Sequence, residues 1–186
     1  MRVIGGAARG RRLRVPKGDA VRPTAARVKE SLFNILPRDF SGMQVLDLFA
    51  GTGNLSIEAL SRGADHALLI EASARSAATI KNNLRRLGFA AQSAVWVAPV
   101  ARSLRTLSRR RAIFDFIFLD PPYDRGLAGR SLDLIAACDL VRDTGTVVVE
   151  HSARESLKPR YGSLQLHDQR RYGDTRLSFY RRVAET

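Results

Sequence analysis

The sequence predicts an α/β fold: a seven-stranded, mostly parallel sheet, with a basic hairpin and helix added at the amino terminus. Three observations carry that expectation. Between residues 43 and 150, short apolar runs alternate with amphipathic helical stretches, the mark of βαβ units whose parallel sheet is covered on both faces. At 186 residues the chain suits one domain with a full core and no disulfide or metal. Its 45% hydrophobic and 26% charged residues are those of an ordinary globular protein, which excludes disordered, collagen-like and disulfide-stapled classes.

The elements follow in order. Arg2-Val3-Ile4-Gly5-Gly6 and Arg9-Gly10-Arg11-Arg12-Leu13-Arg14-Val15-Pro16 are two short apolar pieces separated by Gly and Arg, which suggests a β-hairpin or arm. Thr24 reads as an N-cap ahead of Val28, Leu32, Phe33, Ile35 and Leu36, whose spacing fits an amphipathic helix ending at Pro37. Val45-Leu46-Asp47-Leu48 is a strand entering Gly51-Thr52-Gly53, and a helix runs on through Leu55, Ile57, Ala59 and Leu60. Residues 66–70 form a strand ending at Glu71, and a helix bearing Ile80, Leu84 and Leu87 stops at Gly88. Val95-Trp96-Val97 is a strand with Trp96 in the core, and 100–107 a helix. Residues 114–119 make an almost wholly apolar strand, 127–137 a helix, and 146–149 a strand ending at Glu150. Leu164 and Leu166, then Leu177 and Phe179, mark two strands joined by Tyr172-Gly173-Asp174-Thr175, an antiparallel pair at the sheet edge.

Charge is unevenly spread. Lys+Arg 31 against Asp+Glu 18 gives +13. Residues 1–38 carry ten basic and two acidic side chains, residues 39–150 thirteen and twelve, and residues 151–186 eight and four. A nearly neutral middle with basic ends is the pattern of a polyanion footprint added to a neutral core. Only four of the 31 are lysines; genome composition produces such a bias but does not leave the middle neutral. Arg9, Arg11, Arg12 and Arg14 fall within six residues and are the first candidates for nucleic-acid contact. Arg109-Arg110-Arg111 reads as a solvated loop, and Asn82-Asn83 as surface residues of a helix.

Cys138 is the single cysteine, so no intrachain disulfide forms, as suits a reducing compartment. The start lacks a signal-peptide pattern, and no apolar run approaches the roughly 18 residues that span a membrane. The expectation is a soluble, cytoplasmic protein. His66, His151 and His167 are scattered without metal-ligand spacing, so no metal site is expected.

Two motifs carry chemistry. Asp47-Leu48-Phe49-Ala50-Gly51-Thr52-Gly53 lies at the carboxyl end of the first core strand, where open α/β sheets bind ligands. Glu71 ends the next strand, 20 residues after Gly51, a spacing suited to a carboxylate that accepts both hydroxyls of a ribose. A nucleoside-bearing cofactor follows. A nicotinamide dinucleotide fits less well, because Ser56 stands where its fingerprint wants Gly or Ala and Asp47 would repel a pyrophosphate. Asp47, Phe49, Ala50, Gly51, Thr52, Gly53, Glu71 and Ala72 are the candidate cofactor residues. The alternative for the loop is a plain strand–helix turn.

Asp120-Pro121-Pro122-Tyr123 follows the 114–119 strand and reaches the same edge. Consecutive prolines fix φ and supply carbonyls without donors, so Asp120 and the Pro121 carbonyl can together accept from one NH2 group. Tyr123 offers a flat face for a base. An exocyclic amine is a poor nucleophile while its lone pair is delocalised into the ring, and two acceptors on its hydrogens free that pair. These four residues are the candidate catalytic set.

The glycine loop, Glu71 and this tetrapeptide together resemble a class I S-adenosylmethionine-dependent methyltransferase acting on an exocyclic amine. Arg2-Val3-Ile4-Gly5-Gly6, Gly10-Arg11-Arg12-Leu13, Arg22-Pro23-Thr24 with Arg27, and Glu30-Ser31-Leu32-Phe33-Asn34-Ile35-Leu36 resemble the bacterial 16S rRNA (guanine(966)-N(2))-methyltransferase family. Glu58-Ala59-Leu60-Ser61-Arg62-Gly63-Ala64 and Tyr172-Gly173-Asp174-Thr175 continue the likeness, which covers essentially the whole chain. It implies a Rossmann-like fold, S-adenosylmethionine as cofactor, and methylation of a guanine N2 amine in 16S rRNA within a small-subunit particle. The target base would be unpaired or flipped. It also implies an RNA-contacting extension at 1–38, with Arg22 and Arg27 added to the arm's arginines, and a methyltransferase domain at 39–186. One departure stands out: many members place an acidic residue or Asn near Ala98-Pro99 for the adenine amine, and here only backbone is offered. Methylation of DNA adenine N6 or of protein glutamine remains open, although the glutamine enzymes usually begin the tetrapeptide with Asn rather than Asp120. So does a non-catalytic RNA-binding assembly factor.

Overall fold

A computed structural model describes residues 1–15, 23–123 and 125–183, the side chains of 23–25 excepted. Its elements are α1 (Pro23–Ile35), β1 (Gln44–Asp47), α2 (Asn54–Ser61), β2 (His66–Glu71), α3 (Ala74–Leu87), β3 (Ser93–Val97), α4 (Val100–Arg109) and β4 (Phe114–Leu119). There follow α5 (Leu127–Cys138), β5 (Val141–Ser152), β6 (Arg160–Tyr161), β7 (Leu164–Tyr172) and β8 (Thr175–Arg182). The strands form one sheet in the order β3-β2-β1-β4-β5-β8-β7-β6.

The sheet thus has eight strands among the described residues, not seven, and its antiparallel part is larger than one pair. β3, β2, β1, β4 and β5 run parallel, while β8 is antiparallel to β5, β7 to β8 and β6 to β7. Parallel neighbours need a helical crossover, and each of β1 to β4 is followed by one. β5 is followed by none, so the chain returns through hairpins. β6 spans two residues, too few for any alternation to show. β5 begins at Val141, earlier than its apolar 146–149 centre, because the exposed Arg142, Asp143 and Thr144 hide its start. Pro23 opens α1, which places Thr24 inside the first turn and not at the cap; a residue without an N–H suits that first position.

Alternate residues of a strand face opposite sides, and the two sides carry two cores. Val45, Leu69, Phe116 and Phe118 pack with Leu32 and Phe33 of α1, Ile57 of α2 and Ile80 of α3. Leu46, Leu68, Ile117 and Val147 pack with Leu104 and Leu107 of α4 and Leu132 and Ile135 of α5. Burying each such side chain stabilises by roughly 1.5–3 kcal/mol. α3 is well terminated: Ser73 Oγ accepts from the Ser76 N–H at 3.3 Å, and Gly88 closes the far end at φ +84.

The amino-terminal arm is a hairpin closed by an antiparallel bridge between Arg2 and Arg12. It is pinned to α2. The Ile4 and Gly5 N–H groups donate to the two carboxylate oxygens of Glu58 at 2.8 and 2.7 Å, and Lys29 Nζ and Arg62 Nε meet the same oxygens at 2.8 and 3.0 Å. Gly6 sits at φ +71 with Ser61 O only 1.6 Å from where a Cβ would be, so no other residue fits there.

Asp47 joins β1 to α2. It is 2% exposed and accepts from Ser56 Oγ at 2.9 Å; the serine that spoils a dinucleotide fingerprint serves this carboxylate instead. Burial pushes the Asp47 carboxyl up to about 6 against the hydrogen bonds from Ser56 and the Phe49 N–H. Between about pH 4 and 6 the folded chain holds a proton that the unfolded chain has released, so this contribution is complete below that window and lost as pH rises through it. Asp47→Asn keeps the acceptor without the charge. In urea unfolding it should gain on the parent by up to ~3 kcal/mol at about pH 8 and lose that advantage near pH 4. An equal difference at both pH values would contradict the assignment.

Candidate active site

The carboxyl ends of β1, β2, β4 and β5 share one edge, because Asp47 is level with Leu69 and Phe118, and Leu119 with Val149. At that edge a cleft of about 770 Å³ is walled by Phe49, Gly51, Ile70, Glu71, Ala72, Pro99, Val100, Asp120, Pro121, Pro122 and Tyr123, together with α5 residues such as Leu127 and Leu134. The glycine loop and the tetrapeptide, 67 residues apart if counted from Gly53 to Asp120, are therefore two walls of one site.

The loop is shaped by its backbone. The Leu48 N–H donates to Phe118 O at 3.0 Å, the Ala50 N–H to Ile70 O at 3.1 Å and the Gly53 N–H to Ala50 O at 2.6 Å. Gly53 takes φ +76, with methyls of Ile57, Leu69 and Ile80 3.3 Å from a built Cβ; glycine there is a packing necessity as well as a conformational one. Glu71 reaches back across the sheet edge. Its Oε2 accepts from the Gly51 N–H at 2.9 Å and its Oε1 from the Ser73 N–H at 2.7 Å, so the carboxylate is fixed by two amides while each oxygen keeps a further lone pair.

Of the eight residues expected at a cofactor, Phe49, Gly51, Glu71 and Ala72 line the cleft. Asp47, Ala50, Thr52 and Gly53 are not among its walls: Asp47 serves Ser56, Ala50 is buried, Thr52 Oγ1 lies 3.6 Å from Met1 Sδ, and Gly53 packs on the core. At the tetrapeptide, Asp120 and Pro122 are exposed, Pro121 is buried and Tyr123 half-buried. The Tyr123 hydroxyl donates to Glu150 Oε1 at 2.9 Å. Burial, with Glu150 beside it, holds the phenol well above its usual range.

Arg9, Arg11, Arg12, Arg14 and Arg27 are all exposed, while Val3, Ala8 and Leu13 of the arm are buried in the core. Arg22 lies outside the described residues. Asn83 is 1% exposed, not a surface residue; its amide accepts from the Arg14 N–H and donates to Arg14 O, both at 2.9 Å, and approaches Thr52 O at 3.4 Å. Trp96 is half-buried, with the Arg110 guanidinium 5.3 Å from its ring centre. Sequence reasoning missed Glu58 as an anchor, Glu150 as the partner of Tyr123, and the α5 wall. Among the described residues no three His, Cys, Asp or Glu side chains gather as a metal site, and no helix is long and apolar enough to cross a membrane.

Comparison with known proteins gives concordant matches. The family described as "Conserved hypothetical protein 95" matches residues 1–181. YlbH of Bacillus subtilis (strain 168) is 37% identical over 182 residues, covering 98% of this chain and 99% of that protein. "Ribosomal RNA small subunit methyltransferase D" of Escherichia coli (strain K12) is 35% identical over 185 residues, covering 100% of this chain and 91% of that protein. The solved structure of yhhF from Escherichia coli superposes with a TM-score of 0.86 at 33% identity, covering 100% of this chain and 99% of that one. With the Rossmann-like sheet, the glycine loop and the tetrapeptide all in place, the chain belongs to the Conserved hypothetical protein 95 family and is a relative of the Ribosomal RNA small subunit methyltransferase D proteins.

Proposed function

We propose that the chain transfers the methyl group of S-adenosylmethionine to the exocyclic N2 amine of a guanine in 16S rRNA, within a small-subunit particle. One observation carries this reading: Asp120-Pro121-Pro122-Tyr123 shares a single cleft with Glu71 and Gly51. The name of the Escherichia coli relative supports the choice of a small-subunit rRNA.

The cleft fits the cofactor. Its volume falls within the range of small-molecule sites. Glu71, held by two amides, has lone pairs left for a ribose diol. Ile70, Pro99 and Val100 give an apolar slot for a purine, consistent with the lack of a polar side chain at Ala98-Pro99. When bound, the cofactor supplies an electrophilic methyl on a sulfonium centre. The remaining work falls to the chain. The Asp120 carboxylate and the Pro121 carbonyl accept the two N–H groups of the amine, which localises its lone pair, and Asp120 takes up the proton that methylation releases. Tyr123 stacks on the base and sets the height of the amine in the cleft. The arm, with its arginines outward and its apolar residues inward, grips phosphates beside the cleft and delivers the flipped base.

Tritiated-methyl transfer, offered in parallel to rRNA, assembled small subunits, DNA and protein, should label small-subunit rRNA, and nuclease digestion should return N2-methylguanosine. Label in adenine or in glutamine would contradict the proposal. Asp120→Ala should lower the single-turnover rate on the order of 10²–10³-fold, as for loss of one preorganised electrostatic partner. A drop below about threefold would make Asp120 structural.

Changing Arg9, Arg11 and Arg12 together to Gln should weaken RNA binding and reduce the salt slope of log K by roughly 0.7–0.9 for each phosphate left unneutralised. Cofactor affinity should hold, since Glu71 and Gly51 are untouched. Filter binding at several salt concentrations reads this out; the parental slope would move the footprint to the segment around Arg170 and Arg171.

A further inference from the structure

Residues 120–123 belong to no helix or strand, so regular structure of their own does not fix the Tyr123 ring. Two strands do. The Tyr123 O–H donates to Glu150 Oε1 at 2.9 Å, and Thr175 Oγ1 lies 3.2 Å from the same phenol oxygen. A phenol has one proton; with that proton given to Glu150, the Thr175 hydroxyl is the donor in the second bond. The ring is therefore held at its tip from two directions, by β5 and by β8.

Both holders are themselves fixed. Glu150 stands in β5 opposite Leu177 of β8, a residue buried in the core. Thr175 is 6% exposed and opens β8 opposite Ser152. The turn before it, Gly173-Asp174, is closed by the pairing of Tyr172 with Thr175. Gly173 takes φ +61 at the first loop position, where a II′ hairpin turn needs glycine, and Asp174 O accepts from the Ala153 N–H at 2.8 Å. The Tyr172-Gly173-Asp174-Thr175 segment, which the site had left without a role, thereby becomes the mount of Thr175.

We infer that Glu150 and Thr175 are positioning residues for methyl transfer: they clamp the Tyr123 hydroxyl so that its ring presents one fixed face to the substrate base. The inference rests on the function proposed above. It has a chemical consequence. The hydroxyl is committed to the protein, so the ring face, not the O–H, meets the base. Burial and the Glu150 charge keep the phenol protonated, and the clamp therefore persists across the neutral pH range.

The test uses the full chain with S-adenosylmethionine and small-subunit rRNA. Glu150→Ala and Tyr123→Phe should each lower kcat on the order of 10-fold, the cost of a slightly misplaced reactant, with KM for RNA nearly unchanged. Combining them should cost little more than Tyr123→Phe alone, which already removes the bond to Glu150 together with the one to Thr175. Glu150→Gln, which still accepts from the phenol, should restore most of the rate. A Glu150→Ala change that leaves kcat unaltered, or that costs its full factor again on the Tyr123→Phe background, would overturn the inference.

A second readout does not depend on turnover. In carbon-13 tyrosine-labelled protein, the Tyr123 Cζ resonance, assigned by its loss in Tyr123→Phe, should move on Glu150→Ala and move less on Glu150→Gln. An unmoved resonance would overturn the clamp. A moved resonance in a protein whose parent methylates no RNA would overturn the substrate reading alone, with the clamp standing.

Discussion

One buried carboxylate ties the amino-terminal arm and α1 to α2. Glu58, 0% exposed, receives the Ile4 and Gly5 amides, the Lys29 ammonium and the Arg62 guanidinium. Burial alone raises its carboxyl, but Lys29 beside it and the hydrogen bonds from Lys29, Ile4 and Arg62 outweigh that and hold it below the usual range. Burial also draws the Lys29 ammonium down against the pull of Glu58; with four donors around one carboxylate, the ionised pair is the form we assign. Such a pair adds little net stability over an apolar substitute, yet removing one member costs ~3–5 kcal/mol because a charge is stranded. Against a total of roughly 5–15 kcal/mol for a domain, that makes the contact specific and unforgiving. Lys29 also donates to Arg2 O at 3.0 Å and Asn54 Oδ1 at 2.7 Å, so arm, α1 and α2 close on one another.

The consequence reaches the cleft. Asn54 opens α2 directly after the glycine loop, and Asn83 links Arg14 of the arm to Thr52 within that loop. The arm that carries the exposed arginines is thus braced against the segment that shapes the proposed cofactor side, while Tyr123 is braced from β5 and β8 on the other side. The two halves of the proposed reaction, an electrophile on one wall and an amine on the other, are positioned by separate sets of hydrogen bonds joined through the sheet.

What the sequence disclosed and what it hid follow from the range of each signal. Strands β1, β2 and β4 are legible because a short apolar run bounded by Gly or Asp is a local pattern, and the α3 stop at Gly88 is legible because a left-handed cap favours glycine. The cleft was half legible: motifs at strand ends lie on one edge whenever the strands are parallel. Pairings made only in space left no trace. Ile4 and Gly5 meet Glu58 from 54 and 53 residues away, and Asn83 meets Arg14 from 69. A glutamate one helical turn before Arg62, or an asparagine on a helix, has the same sequence signature whether solvated or buried. The two-residue β6 and the polar start of β5 failed for the opposite reason, being too short or too polar to show a period. Asp47 lies at the margin between these cases, recognised as special but placed against Ser56 and not on the cleft wall.

Glu58 fastens the basic arm and α1 to α2, and residue-resolved amide exchange tests that role most directly. In the parent, the Ile4 and Gly5 amides should exchange slowly. In Glu58→Gln they should approach the rate of free peptide, while the Leu46 and Ile117 amides at the sheet centre keep the highest protection in the chain. Arm amides that exchange freely in the parent, or that stay equally protected after Glu58→Gln, would contradict that role.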